Sequence, residues 1–106
     1  MFILSNAASK DIEKLLEHSV LEFGVVQTEV YFNSLNRCLM SLADNPAMGS
    51  LAVDIKTGYR RFAHQSHVIF YQLQAQDIFI VRILHKAMDV DKQFSGQIEE
   101  PLLAYE

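Results

Sequence analysis

The hydrophobic pattern of the chain changes period at Gly58, from steps of three and four to steps of two. Residues 2–5, Phe-Ile-Leu-Ser, are apolar and end at Ser5-Asn6, residue types that cap a following helix, so a short first strand is predicted there. Ile12, Leu15, Leu16, Ser19, Val20 and Phe23 then recur at helical steps, with Lys10, Glu13, Lys14 and Glu17 on the other side. This predicts an amphipathic helix, which Gly24 ends by taking the left-handed conformation at low steric cost. A second helix is predicted from Val26 to Ala43, with Phe32, Leu35, Leu39 and Leu42 as its stripe. It stops at Asn45-Pro46, because proline disfavours the helical state of the residue before it. Joined by a short glycine turn, the two helices make an antiparallel hairpin.

From Pro46 to Gly58 no period holds, and Gly49, Ser50 and Thr57-Gly58 predict a loop that crosses from helices to sheet. Residues 59–64, 67–73 and 78–84 are rich in β-branched and aromatic types and are separated by short polar turns. They are predicted as strands, the last extending to about residue 85. The last two are apolar on both faces, which places them centrally, with one face under the hairpin and the other against something else. After Lys86 the only strong anchors are Met88, Phe94, Leu102 and Leu103, and residues 95–106 are expected to form a partly mobile tail. With no repeat, low-complexity stretch or linker, residues 1–106 read as one α+β domain.

Half of the 106 residues are hydrophobic, enough to bury a core, so the chain should be globular. The apolar start lacks the charged flank of a signal peptide and no run approaches a membrane span, so a cytoplasmic protein without membrane partners is expected. The single cysteine, Cys38, sits at helical spacing among Leu35, Leu39 and Leu42 and reads as a packed thiol, with a catalytic thiol as the alternative. Net charge is −4, but residues 54–92 carry six basic against four acidic side chains. A local basic surface on an acidic protein suits a local anionic partner better than extended or sequence-specific nucleic-acid binding.

Arg82 lies on an otherwise apolar strand and must face solvent or find an acceptor, with Asp89 and Asp54 as candidates. His85, at the end of that strand, is expected to bond a backbone carbonyl. His18, His64 and His67 lack metal-site spacing, and neither a metal nor a cofactor is expected. Tyr59, Phe62, Phe70, Tyr71 and Phe79 alternate as core residues do, although a base-stacking platform would use the same types. Arg60 and Arg61 are strand neighbours and point to opposite faces. No Ser/His/Asp set, phosphate loop or carboxylate pair is evident, so an enzyme is not expected.

The order strand, helix, helix, three antiparallel strands resembles the RelE/ParE toxin superfamily, and particular residues resemble its ParE branch. These are the opening from Leu4 to Ile12, then Gly58-Tyr59-Arg60-Arg61-Phe62, Ser66-His67-Val68-Ile69-Phe70-Tyr71, and the run from Ile80 through Arg82-Ile83-Leu84-His85 to Met88-Asp89. Together they span about residues 4–94. The resemblance implies a RelE/ParE-like fold, an N-terminal strand and helix hairpin packed on a mainly antiparallel sheet. It also implies the toxin of a type II toxin–antitoxin system that stabilises the gyrase–DNA cleavage complex and is neutralised by a ParD-like antitoxin.

For the gyrase contact the basic segment is the expected site, with Arg60, Arg61, Arg82 and Lys86 as anchors and His85 in support. The antitoxin is expected along the hairpin near Leu16, Val20, Phe32 and Leu39, reaching the sheet edge. Two alternatives stay open. One is a RelE-type ribosome-dependent endoribonuclease, in which Lys56, Arg61, Arg82 and His85 imitate part of a phosphate-stabilising set, although no tyrosine follows the last strand before Tyr105. The other is a decayed toxin that keeps only antitoxin binding.

Overall fold

The computed structural model describes residues 1–94; the predicted tail over 95–106, with Leu102, Leu103 and Tyr105, lies outside the described residues. The elements are β1 (Phe2–Leu4), α1 (Asn6–Phe23), α2 (Val25–Asp44), β2 (Ser50–Leu51), β3 (Tyr59–His64), β4 (His67–Gln74), β5 (Asp77–His85) and α3 (Val90–Phe94). They form an α+β fold with a five-stranded sheet in the order β1-β5-β4-β3-β2. β1 runs parallel to β5 and the remaining pairs are antiparallel. The hairpin and the predicted strands are all present. β2 and α3 were not predicted, because two and five residues are too few to display a period.

Ser5 is the N-cap of α1, its hydroxyl accepting from the Ala8 N–H at 2.9 Å and donating to the Val81 carbonyl at 2.7 Å. Gly24 alone joins the helices, donating its N–H to Val20 O and accepting from the Thr28 N–H. Its φ of 88° and ψ of 171° depart from the left-handed helical cap expected, because one residue both closes α1 and opens α2. That region is almost restricted to glycine.

The hairpin packs on one face of the sheet through Leu15, Leu35, Leu39 and Leu42 against Ile69, Tyr71, Ile78 and Ile80. The opposite face carries a second core of Phe70, Phe79, Val81 and Leu84, closed by Ala52 from the crossover, Tyr59 of β3 and Phe94 of α3. This is the cover that two apolar faces on β4 and β5 demanded. Of the expected anchors among the described residues, Phe94 is buried as expected, whereas Met88, six residues earlier, is exposed.

Alternation fails at one place in β5. Phe70 opposes Arg82 while Tyr71 opposes Ile80, so Val81 has no partner and forms a β-bulge. Next to it, the part of β5 beyond β1 is sealed by α1, with the Ile83 N–H donating to Asp11 Oδ2 at 3.0 Å. An open strand edge is thereby covered by a side chain in place of a strand.

The crossover is fastened by Tyr71, whose hydroxyl accepts from the Gly49 N–H at 2.9 Å and donates to the Pro46 carbonyl at 2.6 Å. A Cβ at position 49 would lie 2.3 Å from the Tyr71 hydroxyl and 2.7 Å from Arg61 O. Gly49→Ala is therefore expected to lower stability by about 1–3 kcal/mol through overpacking, measured as a shift of the urea midpoint; an unchanged midpoint would contradict this close approach.

Candidate functional site

The basic residues expected to act together are separated by the sheet. Arg60 lies on the hairpin side, opposite Tyr71, and donates from Nη1 to Gly49 O at 2.7 Å. Arg61 lies on the other side, pairs with Asp54 and stands over the Phe70 ring at 5.4 Å. The Arg61 partnership holds the Asp54 carboxyl below the usual carboxylate range. His85 and Lys86 are exposed at the far end of β5. His85 is in register with His67, and His67 with His64, three residues or about 10 Å along β3 from Arg61.

Arg82 differs from the other four. The bulge turns it to the sheet margin, where Nε and Nη2 donate to the two Asp11 oxygens at 2.8 Å each, while Nη1 donates to Gln93 O at 3.2 Å. Its side chain is 14% exposed and that of Asp11 10%. The partner is thus neither Asp89 nor Asp54, as expected from sequence, but a residue 71 positions away. Arg82 ties α1, β5 and α3 together, and its two-pronged pairing leaves it a structural residue in place of a surface anchor. Asp11 stood in the sequence as one more polar residue on a helix, with nothing local to mark it.

Of the apolar hairpin residues, Val20 and Phe32 are 40% and 38% exposed and Leu16 is half-buried. Leu39 is only 2% exposed and belongs to the core, so it offers no surface to a partner. Larger exposed side chains cluster at the closed end of the hairpin: Leu21, Phe23, Val25, Val26 and Val30. Of these only Phe23 lay on a predicted helix stripe and was read as core; Leu21, Val25, Val26 and Val30 fell outside both stripes and carried no signal of their own.

Beneath that end lies a cleft of about 350 Å³, lined by Leu15, Phe23, Tyr31, His18, His67 and His85 among others. Tyr31 is 2.7 Å from His67 Nδ1, and the His67 and His85 rings meet edge-on at 5.3 Å. Burial first, then the neighbouring His85 and His64, push the His67 pKa down to about 4. His85 accepts the Ala87 N–H at 3.0 Å, a backbone amide and not the carbonyl that was expected. Spacing around the two-residue turn Gln65-Ser66 showed that His64 and His67 were close, but not that Tyr31 and His85 would join them.

Cys38 is half-buried against the hairpin core, and burial pushes its thiol up, opposite to what a nucleophile needs. Tyr59, Phe70, Tyr71 and Phe79 are fully buried, which leaves no stacking platform among them. No group of three or more His, Cys, Asp or Glu placed to hold a metal occurs among the described residues. None of their helices is long and apolar enough to cross a membrane.

Comparison with known proteins agrees with this fold. The family described as ParE toxin of type II toxin-antitoxin system, parDE, matches residues 2–90. Toxin ParE1 of Mycobacterium tuberculosis (strain H37Rv) is 35% identical over 92 residues, covering 86% of this chain and 94% of the relative. Toxin ParE1 of Caulobacter vibrioides is 34% identical over 86 residues, covering 81% and 88%. A solved structure of the chromosomal ParDE TA system from P. aeruginosa superposes with a TM-score of 0.69 at 15% identity, covering 79% of this chain and 92% of that one. The overall fold is thus shared with a solved structure, and on its sequence matches this chain belongs to the ParE toxin family of type II toxin–antitoxin systems.

Proposed function

We propose that this chain is a cytoplasmic, non-catalytic toxin that poisons DNA gyrase and is neutralised by a ParD-like antitoxin. Membership of the ParE family supports the target. The observation that carries the non-catalytic reading is the state of Arg82: both prongs of its guanidinium are engaged by Asp11. Of the residues a RelE-type ribonuclease would draw on, this removes Arg82 on β5 and leaves Lys56 and Arg61 on one face and His85 at the sheet end. Stabilising a cleaved gyrase–DNA state needs only tighter binding to that state than to the resting enzyme. Arg60, Arg61, His85 and Lys86 are the proposed contacts.

The antitoxin is assigned to the hairpin, where Val20 and Phe32 border the exposed apolar end around Leu21, Phe23 and Val26. A segment laying an apolar face there would bury what the toxin alone leaves in water.

Purified protein is expected to inhibit DNA supercoiling by gyrase and to leave linear DNA after detergent and protease treatment. Arg61→Lys keeps the charge but loses planar two-pronged bonding, so inhibition should weaken about tenfold while antitoxin co-elution persists. Folded, antitoxin-binding protein without effect on gyrase at high micromolar excess would refute the target. Cleavage within codons during in vitro translation would replace it with the ribonuclease, and normal colony growth with confirmed soluble toxin would indicate decay.

A further inference from the structure

The closed end of the hairpin is held to the sheet differently from the rest of it. Of the described residues 16–34, Thr28 alone is buried, whereas Leu35, Leu39 and Leu42 anchor the other end of α2 in the core. Under the closed end runs a row of three histidines. His64, His67 and His85 are successive register partners across β3, β4 and β5, and the His67 and His85 rings meet edge-on at 5.3 Å. Two side chains of α2 reach down to the row. The Tyr31 hydroxyl donates to the His64 carbonyl at 3.4 Å and, with its proton so used, accepts from His67 Nδ1–H at 2.7 Å. Ser34 Oγ lies 3.1 Å from His64 Nε2. Thr28 Oγ1, 2.8 Å from Ser19 Oγ, fastens α1 to α2, so the two helices bear on the row together.

With Nδ1–H given to Tyr31, a further proton on His67 goes to Nε2 and leaves a charged ring in a half-buried place. The groups facing that ring come from each neighbouring element. His85 on β5 and His64 on β3 oppose a charge there, and Asp11 of α1 favours it. Tyr31 of α2 is neutral, and burial holds its own proton more tightly. His18 and Glu22 of α1, 2.6 Å apart, line the same cleft, and Lys86 follows His85. Burial and two imidazoles outweigh a single carboxylate that Arg82 already engages, so His67 stays neutral down to about pH 4 while it is covered. Burial lowers the His64 pKa as well.

We propose that protonation of this histidine row unlatches the closed end of the hairpin from the sheet, so that the fold contains an acid-operated opening beside its exposed apolar residues. Lifting the end gives the His67 ring to water, where it takes up its proton near the ordinary value of 6.5. Below that value the open form binds more protons than the closed one. Closure is therefore at full strength at neutral pH and weakens as pH falls towards 4. For His67 alone the ratio of open to closed rises about twentyfold between pH 7 and pH 5. The other end stays in place, because Arg82 holds Asp11 and the core holds Leu39 and Leu42. Opening uncovers Leu15 and joins the cleft to the apolar surface around Phe23. Nothing in this device depends on gyrase or on the antitoxin.

Amide hydrogen exchange of the whole chain at pH 7, 6 and 5, corrected for the intrinsic rate, tests the latch. Once released, helical segments this short do not hold their amides unaided, so residues 16–34 should open about twentyfold more readily at pH 5 than at pH 7. The amides of β4 and β5 are the internal reference and should change by less than about threefold. His67→Gln keeps a donor for Tyr31 but cannot titrate, and should leave residues 16–34 equally protected at both values. In the unaltered chain the imidazole NMR signals of His67 should show protonation only together with that loss of protection, or well below the ordinary histidine range. Protection of residues 16–34 that does not fall with pH, an equal loss throughout the sheet, the same loss in His67→Gln, or protonation of His67 near pH 6.5 with residues 16–34 still protected would each overturn the proposal.

Discussion

Asp11→Ala is expected to lower stability by about 3 kcal/mol, the low end for a buried pair that loses one partner. The pair is nearly but not wholly enclosed, with side-chain exposures of 10% and 14%. Removing the carboxylate strands the Arg82 guanidinium between α1, β5 and α3 and also orphans the Ile83 N–H. For a domain of this size the melting temperature should fall by more than about 12 °C. Asp54→Ala, which removes the exposed partner of Arg61, serves as the control and should leave the midpoint where it was. A combined Asp11→Leu, Arg82→Met variant should recover most of the loss, because an apolar pair has no stranded charge. If Asp11→Ala unfolded at the same urea concentration as Asp54→Ala, the tie between α1 and β5 would not be what holds this margin of the sheet.

Phe94→Ala is expected to cost about 3–5 kcal/mol, as large as a truncation in the main core. Phe94 is 5% exposed and meets the Phe70 ring edge-on at 5.1 Å and the Tyr59 ring at 6.2 Å. Its removal opens the second face of the sheet, where no long helix lies over Phe70, Phe79 and Val81 among the described residues. Unfolding followed by far-UV dichroism and by tyrosine fluorescence measures the loss. Met88→Ala, six residues earlier and exposed, should shift the midpoint by no more than about 0.5 kcal/mol. Equal behaviour of the two variants would show that α3 does not close the second core.

Most of the elements were legible in the sequence because they are long enough for a period or a cap to appear, whereas β2 and α3 are too short to show one. The stripe from Ile12 to Phe23, the Ser5 cap and the three alternating runs after Gly58 are local properties, and the structure contains each of them. The family was legible too, since its matching residues lie along the strands in a recognisable order. Which side chains meet was a different matter. Whether Leu39 is core and Val20 exposed depends on how far the sheet extends under each helix, and a helical stripe looks the same in both cases. The Val81 bulge breaks a pattern that sequence alone reads as regular, and only that break brings Arg82 within reach of Asp11. The cleft arises in the same way, because Tyr31, His67 and His85 come from three elements and the hairpin must overhang the sheet to cover them. Local periodicity determined the elements; long-range packing decided their neighbours, because a contact between distant residues leaves no trace in the spacing of either.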